Sequence, residues 1–312
     1  MGTRNVSQSE NARQNAGRRS ARSDSDGWVL PVRSLSQRRP TSFIDAPSSG
    51  DSSSNPVVLF AATRWEMAAM RRAMPVERRI EIDGVSCFTG QQAGRAYWLV
   101  PTGIGPEAAD MTASAVLNRH RAALAVSAGF SGALLPTAAV GDVIVATHVV
   151  SGRFDGTWVQ AGGPMACDDT VRDAAHTAAA IIGSTVRSGP VVSLSTVLCR
   201  AVDKQRLSRQ TGAIAVDMES AAIAEVARTR GVPFAVVRTV SDVADEDLPL
   251  DFNVFLKPWG WVRGIGAVIL TPSSLAGLNR LRRQSRLAAE RLTALSACWA
   301  ANGFGLSQAG RT

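Results

Sequence analysis

Two segments bring carboxylates to places where a strand gives way to a helix. In Val216-Asp217-Met218-Glu219-Ser220 an apolar run ends, and an acidic cluster with a serine opens the next element. A carboxylate at Glu219 can accept two hydrogen bonds at once, which suits a vicinal diol such as the 2′ and 3′ hydroxyls of ribose. Asp217 reads equally well as an acid favoured by a helix N-terminal dipole. About twenty residues on, the strand-like run Val236-Val237-Arg238-Thr239-Val240 delivers Ser241 and Asp242 to its carboxyl end. That pair is either part of a ligand edge or a cap on a following helix. Thr102-Gly103-Ile104-Gly105 follows a strand and opens a helix, and Ala128-Gly129-Phe130-Ser131-Gly132 follows the next strand. Glycine lets backbone approach a ligand closely, and a helix N-terminus offers free N–H groups. Tight turns with no ligand are the alternative.

The elements that must hold these residues alternate in type. Apolar runs at Pro56–Ala62, Tyr97–Pro101, Leu124–Ala128, Val143–Val150, Val191–Leu194, Ala213–Val216 and Phe234–Val240 read as strands. Helical patterns cover Trp65–Met74, a stretch ending near Arg119, Asp168–Ile182, Met218–Thr229 and about Ser273–Trp299. Such alternation implies a single α/β domain: a twisted, mixed central sheet with a mainly parallel strand set, flanked by helices. Ligands in open α/β sheets sit beyond the carboxyl ends of the strands, where the residues above fall. Ala122–Gly141 runs twenty residues without a charge. Gly129, Gly132, Pro136 and Gly141 interrupt it, so it reads as a strand, a glycine turn and a second strand rather than a membrane span.

The 312 residues are 45% apolar and 19% charged, which suits a globular chain with a sizeable core. Four scattered cysteines with no C-x-x-C pattern argue against a disulfide framework or structural zinc, and three scattered histidines argue against a histidine metal site. We expect no metal and no cofactor. The formal charge of +8 divides into +3 for residues 1–55, −2 for 56–255 and +7 for 256–312. A nucleic-acid enzyme would carry that charge on its body, so no nucleic-acid partner is expected. Residues 1–55 are rich in Ser, Arg, Asn, Gln and Gly, and read as a disordered basic tail.

Together the motifs over about residues 56–250 resemble the nucleoside phosphorylase and nucleosidase superfamily, of the purine and uridine phosphorylase type. Ala215–Ala222 resembles its ribose-binding junction. Ser241-Asp242-Val243-Ala244-Asp245 resembles the catalytic loop of methylthioadenosine/S-adenosylhomocysteine nucleosidases. A narrower resemblance, to hopanoid-associated members acting on adenosylhopane, rests on Thr211–Ser220, Gly103-Ile104-Gly105-Pro106-Glu107, Ala244-Asp245 with Leu248-Pro249, and the basic C-terminal helix. The resemblance implies adenine release from a 5′-substituted adenosine. Asp242 would be the general acid, and Glu66 would orient or deprotonate water. Glu219 would hold the ribose hydroxyls, with Met218 under the sugar. Thr102, Gly103, Gly129, Phe130, Val197, Leu198 and Ser241 complete the implied binding set. Family phosphorylases commonly carry an arginine two residues before the turn glycine and often a serine after it. This chain has Ser127 and Phe130 there, which favours water over phosphate as nucleophile. Arg64 and Arg238 remain as nearby cations.

The implied organisation is a catalytic domain at 56–255, a basic helical extension at 256–300 and a flexible tail at 301–312. Leu278, Leu281, Leu292 and Leu295 lie near one face of the extension, with Arg280, Arg282, Arg283, Arg286 and Arg291 supplying charge. Three readings stand: leucines packed on the sheet, a dimer contact, or an amphipathic helix at a membrane interface. The expected partners are a small-molecule nucleoside, a second copy of the chain, and a membrane surface touched peripherally through 256–300. The expected location is the cytoplasm, including the inner membrane surface.

Overall fold

The computed structural model describes residues 55–254 and 272–306. The expected basic tail, except Asn55, lies outside these residues, as do 255–271 of the extension and 307–312 of the final tail.

β1 (Val57–Ala61) is buried at every position, as a strand covered on both faces must be. Thr63 caps α1 (Arg64–Ala73), and the polar hairpin β2 (Arg78–Ile82) and β3 (Val85–Gln92) follows. β4 (Arg95–Pro101) then leads through Thr102–Gly105 into α2 (Pro106–Arg119). β5 (Leu124–Ala133) and β6 (Val143–Phe154) are long central strands, and β7 (Trp158–Ala166) folds back on β6. α3 (Asp169–Ile181), β8 (Val186–Ser193), α4 (Ala201–Thr211) and β9 (Ala215–Asp217) follow. α5 (Ser220–Thr229) and β10 (Phe234–Asp242) complete the sheet, and α6 (Pro272–Ala301) closes the described chain with a short 3-10 turn.

Nine of the ten strands run β10-β6-β8-β9-β5-β1-β4-β3-β2, β7 pairs with β6 off that path, and β10 also pairs with β5. Strands β5, β9, β8, β6 and β10 therefore close a ring, with β1, β4, β3 and β2 as a wing. Five pairings are parallel and five antiparallel among the described residues, so parallel strands do not predominate. Both parts are mixed: β10–β6 and β5–β9 are antiparallel within the ring, and β1 pairs parallel with β4 and β5 beside the antiparallel β2–β3 and β3–β4. β2 and β3 escaped the sequence reading because charged and polar residues interrupt them, and β7 because Gly162, Gly163 and Pro164 break its apolar run.

The glycine turn expected at 128–132 is not a turn. β5 passes straight through Gly129 and Gly132 in register with β10, and the only strand within 122–141 is β5. The glycines serve close packing: a Cβ at Gly129 would stand 2.2 Å from Glu66 Oε1 and 2.6 Å from an Arg238 nitrogen.

α6 packs on α1, α3 and β10. Leu292, Leu295 and Trp299 are buried in the same apolar cluster as Leu59, Val126 and Val237. Packing onto the body therefore accounts for this half of the helix. Leu278 and Leu281 are half-buried, while Arg282, Arg283 and Arg286 are exposed. No helix among the described residues is long and apolar enough to cross a membrane.

Candidate active site

The site begins where β1 ends. Thr63 and Glu66 form a capping box: Thr63 Oγ1 accepts from the Glu66 N–H at 3.2 Å, and Glu66 Oε2 accepts from the Thr63 N–H at 2.7 Å. The T-x-x-E spacing is visible in the sequence and marks this helix start. Glu66 does more than cap. Its Oε1 accepts the Phe130 N–H of β5 at 2.7 Å, reaching over the space that Gly129 leaves open.

Strand β9 pairs antiparallel with the far end of β5, so its carboxyl end runs back toward Gly129. That reversal brings Asp217 and Glu219 into the same region as Glu66. Asp217 Oδ2 accepts from Arg238 Nε at 3.0 Å, and Asp217 Oδ1 accepts from Ser193 Oγ at 2.5 Å. Asp217 also receives the Ser220 N–H at 3.3 Å, so the helix-terminus reading holds beside its role as a guanidinium anchor. Arg238 Nη2 donates to Ser127 Oγ at 2.7 Å and Ser220 Oγ at 2.8 Å. Arg238 is 1% exposed. Burial pushes its guanidinium down, but Asp217, Glu219 and Glu66 outweigh that and hold it above its ordinary value.

Glu219 is the N-cap of α5 and is buried. Its Oε1 accepts the N–H of Gly105, the N-cap of α2, at 2.8 Å. Gly105 has φ +97°, a conformation that favours glycine, so the expected glycine segment does bring backbone to a functional carboxyl. Desolvation pushes Glu219 up to about 7; Asp217 and Glu66 add to the rise, while Arg238 and the Gly105 N–H oppose it.

Asp242 ends β10 at a bulge opposite Gly132, where a Cβ would lie 3.1 Å from its Oδ1. Ser241 Oγ lies 2.9 Å from Asp242 Oδ2 and 3.2 Å from the Ser131 carbonyl. Asp242 Oδ1 is ion-paired with Lys204 of α4, which is fully buried. The cap alternative for Ser241-Asp242 fails, since no helix starts there.

The remaining expected residues divide. Thr102 is buried, and its hydroxyl donates to the Gly103 carbonyl at 2.7 Å. Met218 lines a cavity of about 350 Å³ with Pro106, Ser193, Leu194, Ser195 and Met165. That cavity opens beside Met218 and does not include Asp242 or Glu66. Val197 is held by Asn253, whose Oδ1 accepts its N–H at 2.8 Å. Leu198 is buried with Leu194, Leu207 and Val216 as core. Arg64 is exposed and lies over Trp65.

Sequence reasoning missed Lys204, Ser193 and the bracing role of Ser127 and Ser220. Lys204 and Leu207 are the buried positions of α4, three residues apart on one helix face. That spacing is the signal that could have found the lysine. Among the described residues no group of three or more His, Cys, Asp or Glu could hold a metal.

This architecture matches known proteins. A nucleosidase for 5′-methylthioadenosine and S-adenosylhomocysteine from Helicobacter pylori, bound to butyl-thio-DADMe-Immucillin-A, superposes with TM-score 0.60 at 19% identity, covering 77% of this chain and 97% of its own. The corresponding enzyme from Neisseria meningitidis gives 0.59 at 21% identity, covering 78% and 99%. The futalosine hydrolase of Helicobacter pylori gives 0.60 at 18% identity, covering 78% and 97%. At these identities the likeness speaks to the fold. The family model described as the phosphorylase superfamily matches residues 56–257. With that match spanning the sheet and every carboxylate of the site, the chain belongs to the phosphorylase superfamily.

Proposed function

We propose that the protein hydrolyses the N-glycosidic bond of a 5′-substituted adenosine and releases adenine. The observation that carries the hydrolytic reading is the state of Arg238. It is committed to Asp217, Ser127 and Ser220, with Glu66 and Glu219 around it. Three carboxyls against one guanidinium leave a site that repels phosphate and favours a developing cation. A sugar losing its base resembles an oxocarbenium ion, which is such a cation. The fold neighbours named as nucleosidases and as a futalosine hydrolase agree with water as nucleophile.

In this mechanism Asp242 protonates the departing adenine at N7, so the electron pair of the C–N bond leaves on a neutral base. Glu219 accepts the ribose hydroxyls and stabilises the positive sugar. Glu66 orients water and takes its proton as it attacks the anomeric carbon. Met218 and the cavity beside it receive the sugar and its 5′ substituent. Val197 and Leu198 belong to the segment beside the base. Adenosylhopane is the first specific substrate of the proposal. Peripheral contact with an anionic inner membrane surface goes with it, through the exposed Arg282, Arg283 and Arg286 of α6. A homodimer also belongs to this reading, with the exposed apolar side chains of Ile104, Met111 and Val159 as first candidate contacts.

Product analysis by mass spectrometry tests the reaction. Incubation with 5′-methylthioadenosine, S-adenosylhomocysteine or adenosylhopane should release adenine and a free ribosyl product, at rates independent of added phosphate. A ribose 1-phosphate product formed only with phosphate would reject the hydrolytic reading.

A further inference from the structure

Lys204 stands out among the groups that the mechanism above leaves unused. It is 0% exposed on an otherwise polar helix. A buried ammonium is costly unless every proton is bonded. Here all three are: Nζ donates to Asp242 Oδ1, to the Val243 carbonyl at 2.8 Å and to the Glu246 carbonyl at 3.4 Å. The segment it holds is gripped from two further sides. Asp247 Oδ1 accepts the Ala201 N–H at the start of α4 at 2.7 Å, and Glu246 Oε2 accepts from Gln284 of α6 at 3.1 Å. Arg280 of α6 also lies 3.5 Å from Glu246.

We propose that Lys204 is a positioning residue that decides which oxygen of Asp242 carries the proton. This rests on the reading of Asp242 as general acid. The ammonium occupies Oδ1 as a fixed donor, so a proton on Asp242 belongs on Oδ2. Ser241 accommodates both states, because its one hydroxyl proton can turn to Oδ2 or to the Ser131 carbonyl. In the reaction the Oδ2–H bond breaks, the proton bonds to the adenine nitrogen, and the C–N electron pair goes to the base. Asp242 is left as a carboxylate with Lys204 as its counter-ion, and solvent water returns a proton to Oδ2 for the next turnover. Asp242 stands opposite Gly132 of β5 in the sheet and is hydrogen-bonded to Ser241, both uncharged.

The test compares Lys204→Met, Lys204→Gln and Lys204→Arg in the full chain, alone and combined with Asp242→Asn, using 5′-methylthioadenosine. Lys204→Met should lower kcat by about 100-fold or more while KM stays within about threefold, in the range of a lost acid. Removing a cation from a carboxylate favours its protonated form, so the alkaline limb of the kcat profile should move to higher pH. Lys204→Arg should recover roughly tenfold over Lys204→Met by keeping the charge. In the Asp242→Asn background, Lys204→Met should add no further loss. An unchanged kcat, or a loss with an unmoved limb that adds to that of Asp242→Asn, would overturn the proposal. Should the methionine variant fail to fold, the glutamine and arginine variants carry the same comparison. Full turnover by Asp242→Asn alone would instead remove the acid assignment and the proposal with it.

Discussion

At the scale of single residues, the site is an electrostatic arrangement built around burial. Glu219 is raised to about 7 chiefly by desolvation, so near neutrality it titrates. The ionised form is the stronger acceptor of the two hydroxyl hydrogen bonds and the one that stabilises a positive sugar. kcat/KM of wild type should therefore rise with pH through about 7, and Glu219→Gln should lose that limb and fall by roughly 100-fold or more. A pH–rate comparison of the two checks this. The same shift has a stability consequence. The folded state holds a proton that the unfolded chain releases near 4.5, so stability is fully present below 4.5 and is lost as pH rises through about 7. Denaturant titrations at pH 5 and 8 should show the native protein weaker at the higher pH, with the difference reduced in Glu219→Gln. Arg238 is the opposite case. Arg238→Met strands Asp217 beside two further buried carboxyls, and should cost about 3–5 kcal/mol in unfolding free energy. The carboxylates were legible in the sequence because they stand where apolar runs stop. Lys204 was not singled out, since its three-residue spacing to Leu207 is a faint sign in a helix otherwise rich in charge.

At the scale of elements, two devices place these residues. β5 runs on past Gly129 instead of turning, which lets β9 pair antiparallel with its far end and return Asp217 to the site. Missing side chains make room: Gly129→Ala would drive a methyl to 2.2 Å from Glu66 Oε1. We expect that variant to lose about 1–3 kcal/mol of stability and most of its activity. A melt that matches wild type with unchanged turnover would contradict the close approach. α6 is the second device, since its last turns complete the core. Leu292→Ala should cost about 2–5 kcal/mol in denaturant unfolding. Element existence was legible where burial leaves an apolar run, as in β1, β4, β6 and β10. It was illegible where a strand is polar on an exposed edge, as in β2, or broken by Gly162-Gly163-Pro164, as in β7. The glycine segment misled for a different reason. Glycine signals a turn and a crowded strand alike, and only the Glu66 and Arg238 side chains above it distinguish the two.

At the scale of the whole molecule, the ring of β5, β9, β8, β6 and β10 carries most of the site, and the wing brings Glu66 and the Thr102–Gly105 segment to its rim. Arg282, Arg283 and Arg286 of α6 are exposed. Charge reversal at Arg282, Arg283 and Arg286 should reduce co-sedimentation with anionic vesicles and leave adenine release from a water-soluble substrate unchanged. Equal sedimentation of both proteins would remove these arginines from any membrane contact. The central claim is that this site breaks an N-glycosidic bond with Asp242 as acid. The most direct measurement is adenine release from 5′-methylthioadenosine in phosphate-free buffer by wild type and Asp242→Asn, with binding of the nucleoside measured in parallel. The account predicts adenine from wild type, turnover at least about 100-fold slower in the variant, and similar binding by both. Equal turnover by the two proteins, or binding without adenine from wild type, would contradict it.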